Sequence, residues 1–275
     1  MFKPSLGTFL LIPVVALLMQ VTPAQSNTHK YDDVAQIDVL PGWRTPEGTQ
    51  MAAIRVRMVP GWKTYWRAPG DAGIPPRFDW ERSKNLRSVR LYWPTPTVFD
   101  QNGYRSVGYK GDVIIPLELF PKDPDAQVIV LRGRMDLGVC NDVCIPMSVK
   151  LNADIPVSYR KDPAIVKSLG NQPSTAKSAK VRSVTCEIEP ISDGLRVTAK
   201  IQVPRQGNEE AAVFELADQA VWVSQADVTR TGSVLSAASD LVPPTAAPFF
   251  LNRSDIRITV IGTNGAVDIR GCTAG

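Results

Sequence analysis

Four cysteines and a single histidine set the chemistry open to this 275-residue chain. A Ser-His-Asp or Cys-His nucleophile needs a histidine base at its side. An HExxH zinc helix or a His₂Cys copper site needs two or more histidines. The lone histidine is His29, close to the N-terminus, so histidine is not expected to carry the chemistry. The cysteines are the reactive side chains that remain. They fall by position into Cys140 with Cys144 and Cys186 with Cys272, and pairing within each region is the simplest of the three possible connectivities.

Loop size separates the roles of these pairs. A Cys186–Cys272 bridge closes 87 residues and ties the first strand of its region to the last. The chain-entropy model assigns such a closure roughly 4–5 kcal/mol, which ranks it as a structural disulfide. A Cys140–Cys144 bridge closes a ring of five residues, for which the same model gives roughly 2 kcal/mol. A straight strand would hold residues four apart at roughly 13 Å, too far for a disulfide. The segment must therefore reverse. Asn141-Asp142 is good turn chemistry, and Val139, Val143 and Ile145 favour strand flanks over a single helical turn. A bridge this small adds little stability, and strained or exposed bridges are the exchangeable ones. An inert hairpin staple is the bland alternative. The charges nearest in sequence are Asp136 and Asp142. A neighbouring carboxylate disfavours a thiolate, so the pair is expected to depend on a partner for its reactivity.

Around these residues the chain divides into segments. Residues 1–26 carry Lys3, the apolar run Phe9–Met19 and small residues at Ala24 and Ser26, as in a cleaved secretory signal. The run is short for a membrane span and Pro13 interrupts it, so no stable membrane insertion is expected after cleavage. An exported chain meets an oxidising compartment, where two disulfides can persist. Residues 27–157 and 181–275 are each of domain size, joined by a polar linker over 158–180. In that linker Asp162-Pro163 and Gly170 bracket one or two helical turns as N-cap, N1 proline and C′ glycine. The formal charge of +4 draws on the linker, which holds five basic residues against one acidic. No basic surface for nucleic acid is indicated.

Both flanks read as β structure. Runs at 51–59, 86–93, 112–120 and 126–135, then at 181–190, 195–203, 220–228 and 255–262, alternate apolar and polar residues between Pro and Gly turns. Long amphipathic helical patterns are absent. The expected fold is all-β, with two antiparallel sandwich domains in tandem. Five of the six tryptophans precede residue 160 and are expected chiefly as core and rim packing.

The run Gly61-Trp62-Lys63-Thr64-Tyr65-Trp66-Arg67-Ala68-Pro69-Gly70-Asp71-Ala72-Gly73-Ile74-Pro75-Pro76 resembles the N-terminal periplasmic domain of DsbD-type thiol:disulfide interchange proteins. So do Gly108-Tyr109-Lys110-Gly111 and the stretch from Gly138-Val139-Cys140 to Cys144-Ile145-Pro146, and the resemblance covers roughly residues 30–157. It implies immunoglobulin-like sandwiches, a periplasmic location and protein-disulfide oxidoreductase activity of the reductase or interchange type. By motif, Cys140 and Cys144 are the redox pair. A loop aromatic shields the pair in that family, and Tyr109, then Tyr104, are the positional candidates here. Full-length DsbD proteins continue into a multi-span membrane domain and a thioredoxin-like domain, neither of which is in this sequence. The expected partners are therefore periplasmic thioredoxin-like proteins and a membrane electron carrier of DsbD or CcdA type. No cofactor is implied.

Two other functions fit the residues. Met135, Cys140, Cys144 and Met147 are soft ligands suited to Cu(I). With both bridges inert, the chain would be a non-catalytic interaction or chaperone module.

Overall fold

A computed structural model describes residues 33–70, 73–101, 104–217, 220–244 and 249–275. The expected export signal and His29 lie outside the described residues. In chain order the first strands are β1 (Ala35–Arg44), β2 (Gln50–Met58), β3 (Lys63–Tyr65), β4 (Arg77–Asp79), β5 (Ser88–Leu91), β6 (Thr97–Gln101), β7 (Tyr104–Lys110), β8 (Val113–Phe120), β9 (Val128–Cys140) and β10 (Cys144–Pro156). One sheet runs β1-β2-β8-β5. The other runs β10-β9-β3-β7-β6, with β4 also paired to β9. Their apolar faces close on Ile54, Val56, Ile115, Leu117 and Leu119 from one side. Leu131, Leu137, Val139, Leu151 and Tyr109 come from the other.

A helix, α1 (Pro163–Leu169), follows. The Asp162 carboxylate caps it by accepting from the Ala164 and Ile165 N–H groups. Gly170 ends it in right-handed geometry rather than the left-handed turn expected of a C′ glycine. Ile165 packs with Trp43, Met51 and Ala53, and the Ser168 hydroxyl donates to the Ile114 carbonyl. The segment between the sandwiches is thus fastened to the first of them, and its next strand, β11 (Ser174–Thr175), pairs within the second.

The second sandwich comprises β11, β12 (Ser183–Pro190), β13 (Leu195–Gln202), β14 (Ala211–Glu215), β15 (Trp222–Val223), β16 (Asp227–Thr231), β17 (Val234–Val242), β18 (Arg257–Gly262), β19 (Gly265–Arg270) and β20 (Thr273–Ala274). Its sheets run β11-β19-β18-β14 and β15-β17-β13-β12-β20, with β16 also on β17. Pairing is antiparallel except at β11–β19 and β12–β20. The all-β tandem-sandwich expectation holds. The run at 220–228 does not form one strand: it divides into β15 and β16, both paired with β17, and the register shifts by one residue between Val223↔Leu241 and Asp227↔Ala238. Among the described residues no helix is long and apolar enough to cross a membrane.

The two sandwiches touch through apolar surface as well as through the connecting segment. Ile261 and Ala266 of the second are buried with the core of the first, and Val213 packs against it.

Candidate functional site

The β9–β10 hairpin brings Cys140 and Cys144 together. Thirteen residue pairs run from Val128↔Pro156 to Cys140↔Cys144, and Asn141 to Val143 turn the chain at the tip. The turn is closed by the Asn141 N–H donating to the Val143 carbonyl at 3.1 Å. The cysteines are direct cross-strand partners, joined as a disulfide with Cα atoms 4.1 Å apart. The hairpin, rather than a helical turn, supplies the reversal.

Their surroundings differ because their strands differ. β9 is an inner strand, flanked by β10 on one side and by β3 and β4 on the other. β10 is the sheet edge. Cys140 is accordingly 1% exposed, whereas Cys144 is open to solvent. An incoming thiolate can reach only one of the two sulfurs.

Register then names the neighbours of Cys140. Lys63 of β3 is its cross-strand partner, and Lys110 of β7 lies beyond Lys63 in the same row. Side chains in one row share a face of the sheet. Both ammonium groups lie over the Phe99 ring, at 5.3 and 5.2 Å from its centroid. Burial, and then repulsion from Lys110, hold the Lys63 pKa below the usual lysine value. Two residues along the same face, the Tyr65 hydroxyl donates to Cys140 Sγ at 2.9 Å and sits 3.4 Å from Cys144 Sγ. Tyr65 is 3% exposed, and burial raises its pKa. It therefore keeps its proton at neutral pH.

The segment after β3 covers this face. Ile74 lies on Gly138, where a Cβ would come within 2.7 Å of the Ile74 Cβ. Gly73 passes over the Tyr65 ring, and a Cβ there would be 2.8 Å from Tyr65 Cδ1. The small residues in this run allow the close approach, and the cover in turn dries the tyrosine.

Several expected site residues are placed elsewhere. Tyr109 pairs with Thr64, which pairs with Val139, so it belongs to the row next to that of Cys140. Adjacent rows point to opposite faces. Tyr109 therefore faces the core, and its hydroxyl donates to the Pro94 carbonyl at 2.9 Å. It does not cover the pair. The side chain of Tyr104 lies outside the described residues. The copper ligand set also fails to converge: Met135 and Met147 are 1% and 2% exposed within the core, on the face opposite the cysteines. Cys186 and Cys272 form the second disulfide, Cα atoms 5.8 Å apart, beside the β12–β20 pairing.

Lys63 and Tyr65 are the residues that sequence reasoning passed over. Nearness in sequence pointed to Asp136 and Asp142. The fold instead gives Asp136 an ion pair with Arg134, at 3.4 Å, and puts a lysine next to Cys140. The only advance signal was alternation in Lys63-Thr64-Tyr65, which sets Lys63 and Tyr65 on one face if that segment is a strand.

Residues 33–156 match the family model described as thiol:disulfide interchange protein DsbD, N-terminal. Among solved structures, the crystal structure of the N-terminal periplasmic domain of ScsB from Proteus mirabilis is similar, with a TM-score of 0.68 at 22% identity. That likeness covers 90% of this chain and 97% of the other, and it establishes the fold across both sandwiches. A marsupial T cell receptor aligns over 88% of this chain and 96% of its own, but at 11% identity and a TM-score of 0.18 it carries no argument. No curated protein matches this sequence.

Proposed function

Residues 33–156 form a domain of the DsbD N-terminal family of thiol:disulfide interchange proteins, and from that premise we propose that the chain relays reducing equivalents in the periplasm through Cys140 and Cys144. The observation that carries this reading is the asymmetry of the pair: one sulfur open at a sheet edge, the other buried under a phenol and beside a lysine.

The chemistry follows from that placement. A donor thiolate attacks Cys144 Sγ, forming a mixed disulfide as the Cys140–Cys144 bond breaks. The electron pair leaves on Cys140. The Tyr65 hydroxyl is already aimed at that sulfur and donates to the thiolate, while Lys63 supplies a positive charge nearby. Both lower the cost of the leaving group. A second donor thiol then releases the mixed disulfide, and Cys140 takes up a proton. The donor leaves oxidised and the pair stays as a dithiol. In the next half-cycle Cys144, as thiolate, attacks the disulfide of an oxidised protein, and Cys140 resolves the product. The donor is a membrane electron carrier and the acceptors are thioredoxin-like periplasmic proteins. Cys186–Cys272 takes no part: Cys186 is fully buried and the bridge fastens β12 to the last strand.

Single substitutions test this. With Cys140→Ser, Cys144 is expected to trap a mixed disulfide with a thioredoxin-like protein. With Cys144→Ser, the buried Cys140 is expected to trap little. The reading fails if neither variant traps a partner and the Cys140–Cys144 bridge resists reductant as strongly as Cys186–Cys272.

A further inference from the structure

We propose that Glu215, in the second sandwich, is a positioning residue for the Cys140–Cys144 pair in the first. It acts through Arg67 on the strand that carries Lys63 and Tyr65, and the proposal rests on the exchange function above.

Arg67 stands two residues after Tyr65. Its guanidinium meets the Glu215 carboxylate as a fork, Nε to Oε1 at 2.8 Å and Nη2 to Oε2 at 2.9 Å. The two side chains are 14% and 18% exposed, against 39% and 63% for the surface pair Arg132–Asp154. Water and salt screen the buried fork much less than the surface pair. The guanidinium carbon also lies 3.8 Å from the centroid of the Trp66 ring, which is fully buried. Arg67 is therefore held on one side by its own core and on the other by the second sandwich.

Glu215 is fixed in turn. It ends β14, opposite Arg257 of β18. Arg257 approaches Glu215 Oε2, the oxygen that also accepts from Arg67 Nη2, at 4.0 Å while bonding Asp268 with both arms of its own fork, at 2.6 and 2.9 Å. The carboxylate is anchored to its own sheet, and a shift of one sandwich against the other would have to break the fork.

The link from Arg67 to the sulfurs is short. The Trp66 backbone N–H donates to the Val107 carbonyl at 3.0 Å, and the Val107 backbone N–H donates to the Pro69 carbonyl at 2.8 Å. These bonds extend the β3–β7 ladder through Arg67. β3 itself is only three residues long, so it has few ladder bonds of its own to hold it in place. A hydrogen bond to sulfur weakens steeply as its geometry degrades. Releasing Arg67 thus loosens the Tyr65 hydroxyl from Cys140, by way of the backbone and without any contact between Glu215 and the cysteines.

Glu215→Gln tests this in the full chain, because it keeps the shape of the side chain and removes its charge. The readout is the equilibrium in which the protein disulfide and two glutathione thiols give the protein dithiol and glutathione disulfide. With the equilibrium taken at a pH where reduced Cys140 carries its thiolate, loss of part of one charge-assisted hydrogen bond to that thiolate should move the constant about three- to tenfold toward the protein disulfide, tenfold being about 30 mV. Tyr65→Phe should move it in the same direction. In the Tyr65→Phe background, Glu215→Gln should add nothing, since the group it positions is gone. A merely structural role would lower the melting temperature and leave the equilibrium unmoved. Should Glu215→Gln fold poorly, Arg67→Lys keeps the charge, loses the fork and is expected to shift the equilibrium the same way. The proposal is overturned if the shift is absent while Tyr65→Phe has one, or if the two shifts simply add. Either result leaves the exchange function standing; only a pair that does not equilibrate with glutathione at all removes both.

Discussion

Lys63 is held 9% exposed beside Lys110, and burial together with that neighbour pushes its pKa below the lysine norm. The sign of the linkage follows. Between the lowered folded pKa and the ordinary unfolded one, the unfolded chain binds more protons, so stability rises with pH across that window. Below the window the whole cost of the buried charge stands. The same charge is useful beside a cysteine, because a nearby cation favours the thiolate. Lys63→Met should therefore stabilise the protein at pH 7 and slow it as a redox carrier. The expected outcome is a higher melting temperature, together with a smaller thiolate fraction at the reduced Cys140. The carbon chemical shift of the Cys140 Cβ, followed across pH in the reduced protein with Cys186–Cys272 left intact, reads the second effect. An unchanged titration profile would mean that Lys63 does not act on the sulfur. Tyr65 carries no such penalty, since burial only raises a pKa already above neutrality.

The element that matters most, β3, is the shortest in its sheet path and was the least legible in the sequence. Long alternating runs announced β2, β8, β13 and β18, and the Asn141-Asp142 turn announced the hairpin that joins the cysteines. Lys63-Thr64-Tyr65 is too short to show a period, and its two inner ladders are made by strands that lie 45 and 76 residues further on. For the same reason the sequence points to Tyr109 and Tyr104 and not to Tyr65, which the fold places at the sulfurs. A strand shows only which residues alternate, and the face each set takes is decided by register against distant strands. Gly108 is where that register is most sensitive, since it sits opposite Tyr65 and a Cβ on it would come within 2.0 Å of the Thr64 carbonyl oxygen. Gly108→Ala should force β3 off β7, costing about 1–3 kcal/mol as overpacking and slowing exchange as Lys63 and Tyr65 move. Asp162→Ala is the contrasting case. It removes the cap of α1, for about 1 kcal/mol, far from the sulfurs. Chemical denaturation together with the rate of reduction by dithiothreitol separates the two: both variants lose stability and only Gly108→Ala loses rate.

Over the whole molecule, the two sandwiches are fastened to each other by apolar packing, by the connecting segment and by an ion pair. Ile261, Ala266 and Val213 put apolar surface of the second against the core of the first. The connecting segment docks α1 on one and β11 in the other. The Arg67–Glu215 fork spans the boundary. Sequence composition marks the connector as a polar linker, because Ser and Lys are its commonest residues. Its few anchoring groups, Ile165 and Ser168, show their purpose only against β8 and its neighbours. Coupling of this kind has a thermodynamic signature. Breaking Cys186–Cys272, with both residues replaced by alanine, should cost the second sandwich roughly 4–5 kcal/mol through its 87-residue loop. If unfolding is one cooperative event, the first sandwich must feel that loss although none of its own contacts has changed. Five of the six tryptophans, Trp43, Trp62, Trp66, Trp80 and Trp93, belong to the first sandwich, so tryptophan emission reports chiefly on it. The midpoint followed by emission should fall together with the midpoint followed by far-ultraviolet circular dichroism. An emission midpoint that stays in place while the dichroism divides into two steps would show sandwiches that unfold independently, and a second sandwich with no mechanical hold on the cysteines of the first.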